Sequence, residues 1–298
     1  MLPTKDPGSV GSFQYCKRGF VIKKILLTSW LFVLHSNLWA VNDGISLIKQ
    51  NCDIQKKASD CFQYAYYLDK NNSINDSLQY YEVACKKNHY KACNNLGLIY
   101  IKKGEKKKSK EFFVQSCAGK YNRACINLGI WESKYGKRAE SGKFFELACE
   151  GLEALGCFYL GIFYEKEDQI KKAKEAYIKG CSFNEMENCL KVGLFELAEG
   201  KKKEAQQRFL TMCEKSLARP CRYLAYSYLK DAQNKKAQPY FEKSCDLLDS
   251  LACQVLGEQY LADQKFEESQ KYLKLSCDLR NEKACQLLKK SNDSNLKK

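Results

Sequence analysis

Between residues 60 and 283 small, apolar and polar positions recur with a period of 32 residues. Take as zero the second cysteine of each recurring pair. Position +3 is then Tyr64, Leu96, Leu128, Leu160, Val192, Leu224 and Leu256, and +4 is Ala65, Gly97, Gly129, Gly161, Gly193, Ala225 and Gly257. Position +7 is Tyr100, Tyr164, Tyr228 and Tyr260, with Leu68, Glu132 and Glu196 departing from the rule. The spacing 0, +3, +4, +7 is one stripe of an α-helix. A second stripe runs through +16, +20 and +24: small residues from Ser77 to Ser269, bulky ones from Tyr81 and Phe113 to Leu273, then a cysteine. Each unit therefore predicts a helix, a short polar turn and a second helix.

Small residues at +4 and +16 let two helix backbones approach, while the rings at +7 and +20 fill the seam beside them. Such a hairpin cannot bury its apolar stripes alone, so the units are expected to stack into a quasi-one-dimensional array. The predicted class is all-α, an α-solenoid of αα-hairpins. Seven units of 32 residues fill 60–283, with residues 41–59 as an N-terminal capping helix and 284–298 as a C-terminal cap and polar tail. This organisation is expected to make one domain.

Cysteine sharpens the pattern. From Cys85 onward the first members of the pairs lie 32 residues apart, and each second member follows its first by eight; Cys52 and Cys61 form a further pair at nine. Sixteen cysteines are thus in register and only Cys16 is left over. Metal-binding cysteine pairs come as C-x2–4-C with histidines in support. Here the gap is seven residues and the histidines are His35 and His89, so no metal and no cofactor are expected. Even numbers at regular spacing read as disulfides in an exported chain. Each cysteine could bridge its near neighbour or reach about 24 residues across the unit; the invariant short distance favours the local bridge.

Export is itself expected. Lys17, Arg18, Lys23 and Lys24 precede an apolar run from Ile25 to Ala40, the layout of a secretory signal peptide over 1–40, with cleavage expected after Ala40. The run is short for a membrane span and contains polar residues, so no stable membrane insertion is expected. Residues 1–20 make a long leading segment, and a true start near Val21 would account for it. Loss of 1–40 removes five cations and one carboxylate and takes the net charge from +15 to +11. That charge could attract anionic surfaces. The lysines sit mostly in expected turns such as Lys106–Lys108 and Lys201–Lys203, and no nucleic-acid motif accompanies them, so nucleic acid is not an expected partner.

The string C-x2-[LV]-[GA]-x2-Y, then small-x3-[FY]-x3-C, then seven residues to the next cysteine, resembles the Sel-like repeat, a relative of the tetratricopeptide repeat. More closely it resembles the exported cysteine-rich Sel-like repeat proteins of bacteria, the Hcp family. The resemblance implies αα-hairpins and disulfides between cysteines eight apart: Cys85–Cys93, Cys117–Cys125, Cys149–Cys157, Cys181–Cys189, Cys213–Cys221, Cys245–Cys253 and Cys277–Cys285, with Cys52–Cys61 at nine. It also implies a periplasmic or secreted location. The family's repeat is about 36 residues with a Gly-x-Gly-Val turn; here the unit is 32 and turns such as Lys102–Lys106 lack that signature, so the resemblance carries over the hairpin but not the family's curvature or a groove that depends on it.

Two functions follow from the resemblance. One is a scaffold that binds a protein or peptide on a concave face lined by the first helices, at positions +1 and +5: Asn94, Leu98, Ile126, Ile130, Phe158, Ile162, Leu190, Leu194, Arg222, Tyr226, Gln254 and Glu258. The same residues could instead pack between repeats, as an apolar helix stripe commonly does. The other is β-lactam binding or hydrolysis, described for some members, with a β-lactam or cell-wall fragment as partner. Serine β-lactamases need S-x-x-K with S-D-N and K-T-G. Ser46-Leu-Ile-Lys49 gives the first, and the others are missing from the sequence. A zinc enzyme would need several histidines, so the binding reading is preferred. Asp69-x-Asn71-x-Ser73 resembles an acidic glycosylation sequon.

Overall fold

The computed structural model of the protein describes residues 44–295, with side chains to 291. The predicted signal segment, its cleavage point, Cys16 and the last three residues lie outside the described residues. All regular structure among the described residues is helical: α1 (44–55), α2 (Ala58–Lys70), α3 (Ile74–Lys86), α4 (Tyr90–Lys102), α5 (Lys106–Ala118), α6 (Asn122–Tyr135), α7 (Arg138–Glu150), α8 (Ala154–Lys166), α9 (Ile170–Ser182), α10 (Met186–Ala198), α11 (Lys202–Glu214), α12 (Ala218–Leu229), α13 (Asn234–Asp246), α14 (Ser250–Ala262), α15 (Phe266–Asp278) and α16 (Glu282–Asn295). Contacts group these into two compact units that divide within α4, between Leu96 and Gly97. The lysines of Lys106–Lys108 and Lys202 open α5 and α11 rather than sitting in turns.

The period of 32 is built from two periods of 16. Left-handed backbone recurs at residues 56, 72, 88, 104 and 120, and again every sixteenth residue from 152 to 280. At each of these points a helix ends in a C-terminal cap that ties its last carbonyls to the turn. At Leu152, for example, Glu153 N–H donates to Ala148 C=O (3.1 Å) and Leu152 N–H to Cys149 C=O (3.3 Å). Glycine takes this conformation without cost and does so at Gly104 and Gly200, but Leu152, Ala232 and Leu248 adopt it too, so tertiary packing overrides local preference there.

The series breaks once, at 136. Gly136 has φ −117°, and α6 runs one residue longer than its neighbours. Gly136 N–H takes the Glu132 carbonyl (3.1 Å), so Lys137 N–H turns to the Glu132 carboxylate instead (3.1 Å). Lys110 pairs with the other oxygen at 2.7 Å. Burial alone would raise the Glu132 pKa; Lys110 and the Lys137 N–H outweigh it and hold the group below the usual carboxylate value.

In the first unit Cys52–Cys61 joins α1 to α2 and Cys85–Cys93 joins α3 to α4. Tyr81 is fully buried between Phe62 (6.0 Å between ring centres) and Asn95, whose Nδ2 donates to its hydroxyl (3.0 Å). His89 stacks on Phe62 at 4.4 Å and caps α4, its Nδ1 accepting from Ala92 N–H. Burial lowers its pKa below the ordinary 6.5, with Lys91 adding to the effect. The unfolded chain therefore binds the proton more readily than the folded one. Stability from His89 is complete above about pH 6.5 and falls as the pH drops below it. The expected result is that wild type loses melting temperature from pH 7 to about pH 5 relative to His89→Asn, which keeps an N-cap acceptor at every pH. Parallel pH profiles for the two proteins would refute this.

In the second unit the +4/+20 packing is tight. A Cβ on Gly97, Gly129, Gly161 or Gly193 would lie 2.4–2.5 Å from the ring of Phe113, Phe145, Tyr177 or Phe209. Two of the +16 serines add a bond beneath the ring: Ser109 Oγ donates to Gly97 C=O and Ser269 Oγ to Gly257 C=O, both 2.8 Å. Five disulfides of this unit join α5–α6, α7–α8, α9–α10, α11–α12 and α13–α14, and a sixth joins α15–α16, with Cα–Cα distances of 4.5–4.8 Å. Glycine packing and disulfides thus alternate: one closes the turns that lack cysteine, the other the turns between paired cysteines. Hairpins of this unit are pinned to one another by buried polar groups, as where Asn188 Nδ2 donates to Ala154 C=O (2.9 Å), and are held within themselves by others, as where Ser276 Oγ donates to Ser250 C=O (2.7 Å).

Candidate functional site

Within the second unit α6 touches α8 and α8 touches α10, so these three first helices form a row. On the first helices of both units, each taken by itself, the +1 and +5 residues differ in burial. Asn94, Ile126, Leu190 and Gln254, all at +1, are buried at 2–8% exposure, and Phe158 and Arg222 are half-buried. They act as packing: Arg222 pairs with Asp249 at 3.0 Å, and Gln254 accepts from Asn281 Nδ2 at 2.8 Å and donates to Glu258. The +5 residues are more open. Leu98 and Ile130 are 37% exposed, Ile162, Leu194, Tyr226 and Glu258 are half-buried, and Tyr226 meets Phe241 edge-on at 5.1 Å.

Two of them share a cleft of about 330 Å³ between α6, α7 and α8. Ile130, Ile162, Phe145, Tyr159 and Phe163 form its apolar wall, and Lys134, Arg138 and Lys166 its rim. Helix position explains the wall. Phe145 is the +20 ring packed on Gly129 and stacks on Tyr159 at 5.4 Å, while Phe163 lies against Gly142, where a Cβ would come within 2.5 Å of it. Arg138 is oriented by α8, donating to the Lys166 carbonyl (3.4 Å) and facing the Glu167 carboxylate (3.3 Å). Three cations and no carboxylate line the cleft, so it suits an apolar group carried beside a negative charge.

The three rim cations were not singled out by the sequence reading, although a signal existed for two of them, Lys134 and Lys166. Position +9 is lysine at Lys70, Lys102, Lys134, Lys166 and Lys230, one turn beyond the +5 residue on the same helix face. Ser46 and Lys49 are exposed on α1, and Lys49 is paired with Asp53. That hydrogen bond raises the Lys49 pKa, the wrong direction for a proton acceptor. Asn71 lies exposed just after α2 and donates to Tyr67 C=O. Among the described residues no three His, Cys, Asp or Glu side chains converge as metal ligands.

The tetratricopeptide repeat family matches residues 90–118. The crystal structure of c5321, a protective antigen of uropathogenic Escherichia coli with an SLR fold, superposes with a TM-score of 0.66 at 18% identity, covering 82% of this chain and 58% of that one. A Sel1 repeat protein from Oxalobacter formigenes gives 0.59 at 18% identity over 73% of this chain and 99% of its own. In fold, the chain is a Sel1/tetratricopeptide-like repeat protein. It spans 58% of the length of the uropathogenic antigen, so the likeness carries the architecture alone. No curated protein matches the chain in sequence. The Sel1-like repeats carry many disulfides, which fits an oxidising environment, and no described helix is long and apolar enough to cross a membrane.

Proposed function

We propose that this Sel1-like array is an exported scaffold, released from its signal segment and capped by residues 41–59 and 284–298, that docks an extended segment of a partner protein on its row of first helices. The cleft around Ile130 and Ile162 carries the reading: it joins an apolar wall to a rim of three cations, and repeat arrays of this kind present continuous binding surfaces. The matching ligand is a peptide with an apolar side chain next to a carboxylate. Eight disulfides support the export part of the reading.

A peptide display library selected on the oxidised protein is expected to enrich Asp or Glu beside Leu, Ile or Phe. Ile130→Glu should abolish that binding, and Arg138→Gln should weaken it about tenfold, as for a charge-assisted contact. Tyr226→Ala, at the +5 position of α12, tests whether the segment extends past the cleft, and Phe158→Ala, at a +1 packing position on α8, serves as the comparison. Enrichment without acidic residues, or binding indifferent to Ile130→Glu, would refute the proposal. Labelled penicillin, the competing anionic ligand, is expected to leave no covalent adduct.

A further inference from the structure

The repeats can be read against one another. In three hairpins of the second unit the +7 ring of the first helix stacks on the ring twelve residues later, at +19: Tyr100 on Phe112 at 5.4 Å, Tyr228 on Tyr240 at 5.8 Å and Tyr260 on Tyr272 at 5.5 Å, with interplanar angles of 6°, 21° and 3°. In the α10–α11 hairpin an ion pair replaces the stack, Arg208 donating to Glu196 through two nitrogens at 3.0 and 2.7 Å. The α8–α9 hairpin keeps the ring, Tyr164, but has Ala176 at +19. A methyl group cannot cover a phenol face. What results is a cleft of about 370 Å³ between α7, α8 and α9, with Leu160, Tyr164 and Ala176 as its apolar part and Glu146, Glu150 and Glu175 at its edge.

We propose that this cleft receives an aromatic side chain of a partner protein, carried next to a basic residue. The ring follows from the sister hairpins, in which the same place against the same tyrosine is filled by a phenylalanine or tyrosine of the chain itself. Offset or parallel stacking on Tyr164 would restore the contact that the other repeats make internally. The basic neighbour follows from charge: three carboxylates at the edge outnumber Lys172 and Lys179. Glu146 and Glu175 reach far enough in to add to the effect of burial in raising the Tyr164 pKa, so their field is felt inside the cleft. Lys172 Nζ lies 5.5 Å from the centre of the Tyr164 ring and marks that face as one that accepts a cation. The volume falls in the lower range of small ligand sites, enough for one side chain and its neighbours. This cleft shares no lining residue with the one around Ile130 and Ile162, so the two proposals stand or fall separately.

The test uses the full oxidised chain, methyl-labelled at alanine and leucine, titrated with the acetylated tripeptide amide Lys-Trp-Lys. A saturable ring-current shift of the Ala176 and Leu160 methyls is expected, with a dissociation constant in the millimolar range. The analogues Glu-Trp-Glu and Lys-Leu-Lys are expected to bind about tenfold more weakly, lacking the charge match and the ring respectively. Ala176→Phe supplies the ring found in the sister hairpins and should fold; by calorimetry it should bind Lys-Trp-Lys about tenfold more weakly. The pair Glu146→Gln/Glu175→Gln leaves the core untouched and should erase the preference for Lys-Trp-Lys over Glu-Trp-Glu. No saturable shift at Ala176 overturns the proposal, as does equal binding of Lys-Leu-Lys. Unchanged binding in Ala176→Phe, or, should that variant not fold, an unchanged preference in the double glutamine variant, overturns it equally.

Discussion

Full reduction of the disulfides is expected to unfold the chain at room temperature, with loss of its helical circular dichroism. Each bridge closes a loop of only eight or nine residues. Chain-entropy arithmetic still gives about 2.5 kcal/mol for a loop of that size. Eight such bridges sum to about 20 kcal/mol, more than the 5–15 kcal/mol by which native domains are typically stable. A single bridge tests the arithmetic. Cys149→Ala/Cys157→Ala removes a pair that is 1% and 0% exposed and should lower the unfolding free energy of the two hairpins it joins by about 2–3 kcal/mol, read from the midpoint in denaturant. A reduced and alkylated protein that still melts cooperatively from a fully helical state would show that the glycine seams suffice alone. Alkylation of the unreduced protein should label no cysteine between residues 44 and 295.

The second large effect lies in those seams. Phe209 is fully buried against Gly193, and Phe209→Ala should cost about 3–5 kcal/mol, the range for deleting a core phenylalanine. Gly193→Ala is the more diagnostic change. In an open helix interior it would gain about 1 kcal/mol from helix propensity. Here the added Cβ would come 2.5 Å from Phe209 Cε1, so a net loss is expected. In a Phe209→Leu background, which shortens the opposing side chain, the same substitution should lose less, or gain. A double-mutant cycle therefore reads a coupling of about 1 kcal/mol or more between these two positions. Additive effects would mean that the hairpin opens to accept the methyl without strain.

Much of this architecture was legible in the residues because the forces that set it are periodic. The +4 glycines and +20 rings fall on helical stripes, and the structure places them face to face. The helix ends were less readable. A left-handed turn at Asn72 or Gly104 leaves a chemical mark, whereas at Leu152, Ala232 and Leu248 it leaves none, since what holds those residues there is the packing on either side. The candidate cleft was half visible. Ile130 and Ile162 stood out as apolar first-helix positions, but Lys134 and Lys166 were hidden among fifty lysines and arginines, and only the helix face they share with Ile130 and Ile162 singles them out. The positions at +1 illustrate the opposite limit. Ile126 and Leu190 have the character of ligand contacts and are used for packing, a choice that depends on the neighbouring hairpin rather than on the residue. Ala176 is the clearest case, because an alanine in a helix attracts no notice until its counterparts in the other units prove to be rings.

The turns that carry the cysteines also bear on how such a chain can be made. Among the described residues each cysteine bonds to its neighbouring cysteine in sequence, across one turn, so none of these bridges has to wait for distant parts of the chain. A polypeptide threaded through a pore from its N-terminus could oxidise pair by pair in the order in which the pairs emerge, each helical turn bringing two thiols together before the next appears. Contacts this local favour rapid assembly and leave little opportunity for crossed pairing. A chain with sixteen cysteines in register can thus mature without a step that shuffles mispaired bonds, and its length can grow or shrink by whole units without upsetting the pairing of any other.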